Sequence, residues 1–370
     1  MPPEVWDGDG AARSDLYGQP NAVTSIREAV PAPIRTPTTH NKKDCGMSQL
    51  ALCLKALSQG QRPQPSHIEG AFEQLMDGDA PDAAIGGFLM GLAAIGETPD
   101  DIVAGARVLR GRMATINAPA GAIDTCGTGG DGKGAYNIST AAAIVAAGAG
   151  AIVAKHGNRA ASSKSGSSDV LGELGVCLGA RTEDVERSIR EAGVGFLYAP
   201  AHHSAVRHVA SARKGLGVRT LFNLLGPLAN PAGAKRQLLG VFDPRWMQPM
   251  AQALRDLGCE RAIIMCGQDG MDEITTTMGT DAVELRDGEI RQFEITPEDA
   301  DIPRATETEL QGGDPTYNAA AIQRLLDGET GAFRNIVLLN AGAALMLADR
   351  AADIREGAQL AASAIDGGRA

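Results

Sequence analysis

Between Gly121 and Gly157 the sequence runs "GAIDTCG", a glycine-rich stretch, "ISTAAAIVAAGAG" and "AIVAKHG". Short apolar runs separated by helical stretches are the mark of strands buried on both faces of a parallel sheet, with helices covering them. The alternation continues. "SSDVLGELG" reads as a short helix, "RTEDVERSIREAG" as a helix capped by Thr182, and "GVGFLYAP" as a strand. "RQLLGVFD", "MQPMAQALRDLG" and "RAIIMCG" then give strand, helix, strand. "EITTTM" and "AVELRDGEIRQFEI" read as antiparallel strands turning at Asp287–Gly288, and "RNIVLLNAGAAL" as one more strand running into a helix. The chain ends soon after "AIDGGRA", which predicts a short final helix.

The first third has a different texture. Residues 1–46 are polar and broken by proline, and they read as a disordered extension, with Met47 a possible alternative start. Four helices follow. "MSQLALCLKALSQG" sets Leu50, Cys53, Leu54 and Leu57 on one face, and "PSHIEGAFEQLMDG" starts at a Ser66 cap and stops at Gly78. "PDAAIGGFLMGLAAIG" and "TPDDIVAGARVLRGRM" complete the set, the latter with Thr98 as cap and Pro99 at the first helical position. The expected architecture is a small N-terminal helical domain over 47–118, then a larger α/β domain over 119–370. Its central sheet is mostly parallel and carries an antiparallel part.

Composition narrows the function. A net charge of −11 argues against a broad surface for nucleic acid or anionic lipid, so any anion must be met by a local basic pocket. Six cysteines without a CxxC pair fit reduced residues of a cytoplasmic protein. No apolar run reaches the roughly 20 residues of a membrane span, and the N-terminus lacks a signal-peptide apolar region. With aromatics at 4% and abundant Ala and Gly, the cores should be built from Ala, Leu, Ile and Val, with close helix–sheet contacts.

Four loops carry the candidate chemistry. "DTCGTGGDGKGAYNIST", Asp124 to Thr140, has five glycines between a strand and a helix start, a geometry that aims backbone N–H groups at a phosphate. Its spacing is neither GxGxxG nor a Walker pattern. "KHGNRAASSKSGSSD" follows the next strand and places Lys155, His156, Arg159 and Lys164 among serines, suited to several phosphate oxygens. "CGQDGMDEITTT" clusters Asp269, Asp272 and Glu273, which beside phosphates suits Mg²⁺. "AHHSAVRHVASARKGLGVRTLFNLLGPLANP" holds His202, His203, His208, Arg213 and Lys214, where Arg213 offers a planar fork for a carboxylate.

From Met47 onward, "GTGGDGKGAYNIST", "KHGNRAASSKSGSSD", "GVRTLFNLLGPLANP" and "GMDEITTT" resemble the anthranilate phosphoribosyltransferases of tryptophan biosynthesis. The resemblance implies a homodimer formed through the helical domain, to which residues 210–232 also contribute. It implies displacement of pyrophosphate from phosphoribosyl pyrophosphate (PRPP) by the amine of anthranilate, giving N-(5-phosphoribosyl)anthranilate. By resemblance Gly127, Gly130, Asp131, Asn137, Ile138, Ser139 and Thr140 surround PRPP. So do Lys155, His156, Gly157, Asn158, Arg159, Ala160, Ala161, Ser162, Ser163 and Ser167. Gly127, Asn158 and Arg213 match the anthranilate contacts. Ser139 would ligate one Mg²⁺, and Asp272 with Glu273 a second.

An aromatic amine is neutral at pH 7 and already nucleophilic, so no acid or base residue is assigned. The chain departs from the family pattern at Ala135 (often Thr or Ser), Ser204 (commonly Pro) and Gly172 (commonly Glu). A pyrimidine-nucleoside phosphorylase shares the domain plan, but the Asp272–Glu273 pair and "NLLGPLANP" argue against it. A non-catalytic nucleic-acid-binding relative would need a basic surface and decayed loops.

Overall fold

The computed structural model describes residues 46–160 and 164–370. The reading of residues 1–45 as a disordered extension lies outside the described residues, as do Ala161, Ser162 and Ser163. Four helices open the structure: α1 (Gln49–Ser58), α2 (Pro65–Asp77), α3 (Asp82–Ile95) and α4 (Pro99–Arg112). Thr98 caps α4 in a reciprocal box with Asp101, whose carboxylate also takes Arg62 Nη1 at 2.5 Å. The helices enclose Phe72, which meets Phe88 and Phe222 edge-on at ring-centroid distances of 5.4 and 5.8 Å. Phe222 comes from much later in the chain.

The sheet strands are β1 (Ile123–Gly127), β2 (Val153–Gly157), β3 (Val194–Tyr198), β4 (Arg236–Gly240), β5 (Arg261–Gly267), β6 (Thr280–Arg286) and β7 (Glu289–Ile295). Their order is β3-β2-β1-β4-β5-β6-β7, parallel through β5 and antiparallel at β6 and β7. The β6–β7 hairpin turns at Asp287 and Gly288, both with positive φ, as the Asp-Gly pair predicts. Among the described residues the intervening helices are α5 (Ile138–Gly148), α6 (Ser167–Glu173), α7 (Thr182–Ala192), α8 (Ala199–His202), α9 (Arg207–Leu216), α10 (Phe222–Leu225) and α11 (Met247–Asp256). Then follow α12 (Pro315–Leu326), α13 (Ala332–Leu347) and α14 (Ile354–Asp366).

Alternate residues of β5 serve opposite faces. Ala262, Ile264 and Cys266 join the core shared with α1–α4, α9, α10 and α11, while Ile263 and Met265 join the core under α5, α13 and α14. The second core mixes alanines with Ile, Leu and Val and brings helix backbones close at glycines; a Cβ on Gly357 of α14 would sit 2.8 Å from Gly342 Cα of α13. The scarcity of aromatics thus has a structural counterpart in near-contact of helix backbones.

The structure corrects five local readings. α2 begins at Pro65 with Gln64 as its cap, because proline fixes the first helical φ one residue ahead of Ser66. Thr182 is likewise inside α7, and Arg181 is the cap. "EITTTM" is no strand, since the Thr275 and Thr277 hydroxyls turn inward to Asp269 Oδ2 at 2.6 and 2.5 Å. "RNIVLLNAGAAL" lies wholly within α13, which is buried on almost all sides, and a fully buried helix carries no period to separate it from a strand. The final helix is not short: α14 has 13 residues.

Candidate active site

Four neighbouring strands, β2, β1, β4 and β5, each end in glycine at one edge of the sheet: Gly157, Gly127, Gly240 and Gly267. Gly127 and Gly240 are register partners, and the turn carrying Asp272 lies directly against both. A Cβ on Gly240 would overlap the Asp272 backbone carbonyl, and one on Gly127 would come within 2.5 Å of Asp272 Oδ2. The missing side chains let an acidic turn from beyond β5 lie across the end of β1.

That turn is held from both sides. Asp269 accepts from the Met271 N–H at 3.0 Å as well as from the two threonine hydroxyls, so it braces the turn instead of facing the cleft. From behind, Asn340 of α13 accepts the Ile274 N–H at 3.0 Å and donates to the Ile274 carbonyl at 2.8 Å. Asp272 and Glu273 then reach the opposite loop, where Gly129 N–H donates to Asp272 Oδ2 at 2.8 Å and Ser139 N–H to Glu273 Oε1 at 3.0 Å. Burial, followed by the neighbouring Asp131 charge, raises the Asp272 carboxyl above its ordinary range; burial and Asp272 do the same to Glu273.

The glycine-rich loop keeps its shape through Gly129, Gly130, Gly132 and Gly134, all with φ between 63° and 78°. Arg219, stacked 4.0 Å from the Phe242 ring centre, donates to the Gly130 carbonyl. Lys133 Nζ pairs with Glu307 at 3.1 Å, and Gly312 N–H donates to the Gly134 carbonyl at 2.9 Å. Ala135 packs beside Ile138, Met271, Leu310 and Ile336, a setting in which a methyl group is at home.

The second loop divides its residues. Lys155 is buried, with its ammonium on the Thr125 carbonyl and its charge acting on Asp124 and Glu273. His156 is also buried; its N–H donates to Asp124 Oδ1 at 3.1 Å, and Nδ1 lies 3.1 Å from the Gly226 carbonyl. Asn158 and Arg159 are exposed at the loop tip, where Arg159 Nε donates to Tyr198 Oη at 3.2 Å. Asp169 gathers the loop by accepting the Ala160 and Gly166 N–H groups at 2.9 and 3.0 Å. Ser167 Oγ donates to the Asn158 carbonyl at 3.2 Å.

Beside these loops lies a less satisfied region. His156 and His203 rings sit 5.1 Å apart; His156 Nε2 and both His203 ring nitrogens are buried without a partner among the described residues. Burial and neighbouring histidines push His156 down to about 3, and burial pushes His203 down to about 4. Arg213 lies over the Phe222 ring at 5.1 Å, has no ion-pair partner among the described residues, and burial lowers its pKa. Ser204 opens a short 3-10 turn, and Gly172 is accommodated within α6.

Residue spacing brought the three strand-end loops together as expected. It gave no role to Gly240, Arg219, Asn318 or Asn340. A lone asparagine inside the apolar run "IVLLNAGAAL" was the available signal for Asn340.

Residues 120–370 match the family described as "Glycosyl transferase family, a/b domain", and residues 52–113 its helical bundle domain. Over 324 residues, 88% of this chain and 96% of the relative, the sequence is 68% identical to the anthranilate phosphoribosyltransferase of Maricaulis maris. The chain belongs to the anthranilate phosphoribosyltransferase family. The family member from Parvibaculum lavamentivorans is 54% identical over 324 residues, with coverage of 88% and 95% of the two chains. The crystal structure of the Thermus thermophilus family member matches with a TM-score of 0.81 at 43% identity, over 86% of this chain and 95% of that chain. The Saccharomyces cerevisiae member, solved in complex with PRPP and Mg, matches with a TM-score of 0.80 at 25% identity over 86% and 94% of the chains.

Proposed function

We propose that this protein transfers the 5-phosphoribosyl group of PRPP to the amine of anthranilate, forming N-(5-phosphoribosyl)anthranilate and releasing pyrophosphate, a step of tryptophan biosynthesis. The observation that carries this reading is the placement of Asp272 and Glu273 against the N–H groups of Gly129 and Ser139, so that an acidic pair faces an anion cradle across a few ångströms. The donor set fits a hard divalent cation: oxygen atoms only, from two adjacent carboxylates whose burial and mutual repulsion favour positive charge. Among the described residues no three His, Cys, Asp or Glu side chains converge on one point, which fits an ion completed by phosphate oxygens and water. Asp272 and Glu273 would hold the ion, and it would supply positive charge to stabilise the departing pyrophosphate. On this reading Asp272 and Glu273 hold one ion and Ser139 a second.

The other roles are assigned on the same reading. Gly127, Gly130, Asp131, Asn137, Ile138, Ser139 and Thr140 form the α5 side of the PRPP site, and the loop from Lys155 to Ser163 with Ser167 forms the other. Arg159 neutralises phosphate, whereas the buried Lys155 balances Asp124 and Glu273. Arg213, with Gly127 and Asn158, takes anthranilate, its unpaired guanidinium meeting the carboxylate. The C1–pyrophosphate oxygen bond breaks, the amine nitrogen lone pair forms the new bond to C1, and the amine proton passes to solvent. In-line placement and charge stabilisation then carry the rate.

The protein is read as a cytoplasmic homodimer that takes small substrates and neither nucleic acid nor membrane. Among the described residues no helix is long and apolar enough to cross a membrane. The dimer face is assigned to the helical domain, where exposed Met90 borders a shallow groove between α3 and α9 lined by Gly86, Gly87, Ala212 and Gly215. The helical domain spans 47–118 with 210–232 added; 119–370 forms the PRPP-binding domain. The test is loss of anthranilate fluorescence on mixing with PRPP and Mg²⁺. No loss with folded protein, or loss indifferent to EDTA, overturns the reading.

A further inference from the structure

Asn137 is the N-cap residue of α5, and asparagine at that position normally turns its Oδ1 onto the N–H two or three residues ahead. Here it makes no such bond. Its Oδ1 instead accepts from Asn318 Nδ2 at 2.9 Å and from Ser165 Oγ at 2.9 Å, and its Nδ2 donates to the Ser165 carbonyl at 3.2 Å. Asn318, on α12, is 1% exposed, and its own Oδ1 accepts the Gly313 N–H at 2.8 Å. The adjacent Gly312 N–H holds the Gly134 carbonyl of the glycine-rich loop. One buried amide therefore ties α12 to both loops that flank the start of α5.

We propose that Asn318 is a positioning residue that keeps the Asn137 side chain off its own helix, leaving the Thr140 N–H in the first turn of α5 for a phosphate of PRPP, while Glu273 holds the Ser139 N–H and the Tyr136 carbonyl the Ile138 N–H. The first turn of a helix has donors without intrahelical acceptors, and either a capping side chain or an anion satisfies them. The two are alternatives at one place. With the Asn318 donor gone, Asn137 swings back onto the Thr140 N–H and competes with the ligand. The inference rests on the PRPP reading of this site.

The test is calorimetric titration of PRPP with Mg²⁺ into the intact protein, paired with separate KM values for PRPP and anthranilate. If the unmodified protein binds no PRPP, the functional reading fails. If it binds, Asn318→Asp, which keeps the acceptor for Gly313 but loses the donor, weakens PRPP about tenfold and leaves the anthranilate KM within about twofold. Asn137→Gly, unable to cap, recovers part of that loss when combined with Asn318→Asp. Equal shifts in both KM values, unchanged PRPP binding, or strictly additive losses in the double variant overturn the proposal. Should Asn318→Asp not fold, Ser165→Ala removes the other donor to Asn137 Oδ1, leaving only the bond to the Ser165 carbonyl, and must give the same selective loss in smaller measure.

Discussion

The two sides of the cleft are built in opposite ways. On the phosphate side the groups that shape the loops have protein partners: Asp272 and Glu273 on backbone N–H groups, Asp269 on two threonines, Asn137 on Asn318 and Ser165. On the side proposed for anthranilate, Arg213 has no ion-pair partner among the described residues, and His156 buries a ring nitrogen that makes no hydrogen bond there, beside a His203 ring that burial keeps neutral. The difference follows from the ligands proposed for each side. Pyrophosphate with a cation brings many charges, so its site is best held in shape by partners that can be exchanged. Anthranilate brings one carboxylate and a flat apolar ring, so one desolvated guanidinium beside neutral imidazoles suffices.

The comparison breaks most sharply at the acidic pair. Asp272→Asn with Glu273→Gln is expected to lower Mg²⁺-dependent turnover by about a hundredfold, while unfolding is unaffected or slightly favoured against. Turnover measured across a Mg²⁺ titration checks it, and an unchanged Mg²⁺ dependence removes the metal assignment. Next in size, Arg213→Ala is expected to raise the anthranilate KM by about 10- to 100-fold and the PRPP KM by less than about twofold. Equal rises would place Arg213 outside the aryl side.

The smallest effect is on pH. His156 and His203 are held neutral when folded, at about 3 and about 4, and charge when unfolded near pH 6.5. The unfolded chain therefore binds more protons in that window, and stability falls as pH drops below about 6.5. The acidic pair, with raised values, works in the opposite direction. In the Asp272→Asn, Glu273→Gln background the histidine term is opposed mainly by the buried Asp124, whose carboxyl burial also raises, and the unfolding midpoint should fall by about 5 °C between pH 7 and pH 5. Further replacement of His156 and His203 by Gln should flatten that slope; an unchanged slope would place the protons elsewhere.

Much of this was legible from the chain alone. Strand–loop–helix periodicity located β1, α5, β2 and β5, and residue type marked the glycine-rich loop, the Lys/Arg/Ser loop and the acidic pair. Local chemistry suffices there because phosphate recognition is written in contiguous backbone donors and cations. The two misread segments share a source. Thr275 and Thr277 take their conformation from hydrogen bonds to Asp269, and the apolar start of α13 from the helices around it, neither of which a local period records.

The sequence by itself determined the alternating architecture, the largely aliphatic cores and the three loops that carry charge. Tertiary structure alone decided which of those charges face the cleft: Asp269 and Lys155 turn inward, while Asp272 and Glu273 cross the glycine edge of the sheet to meet the α5 N-terminus. It also decided that Asn137 serves its neighbours and not its own helix. The physical reason is that a hydrogen bond's partner is fixed by packing across long sequence separations. Asn318 and Asn340 acquire their roles only when α12 and α13 are laid against loops that precede them in the chain by more than sixty residues.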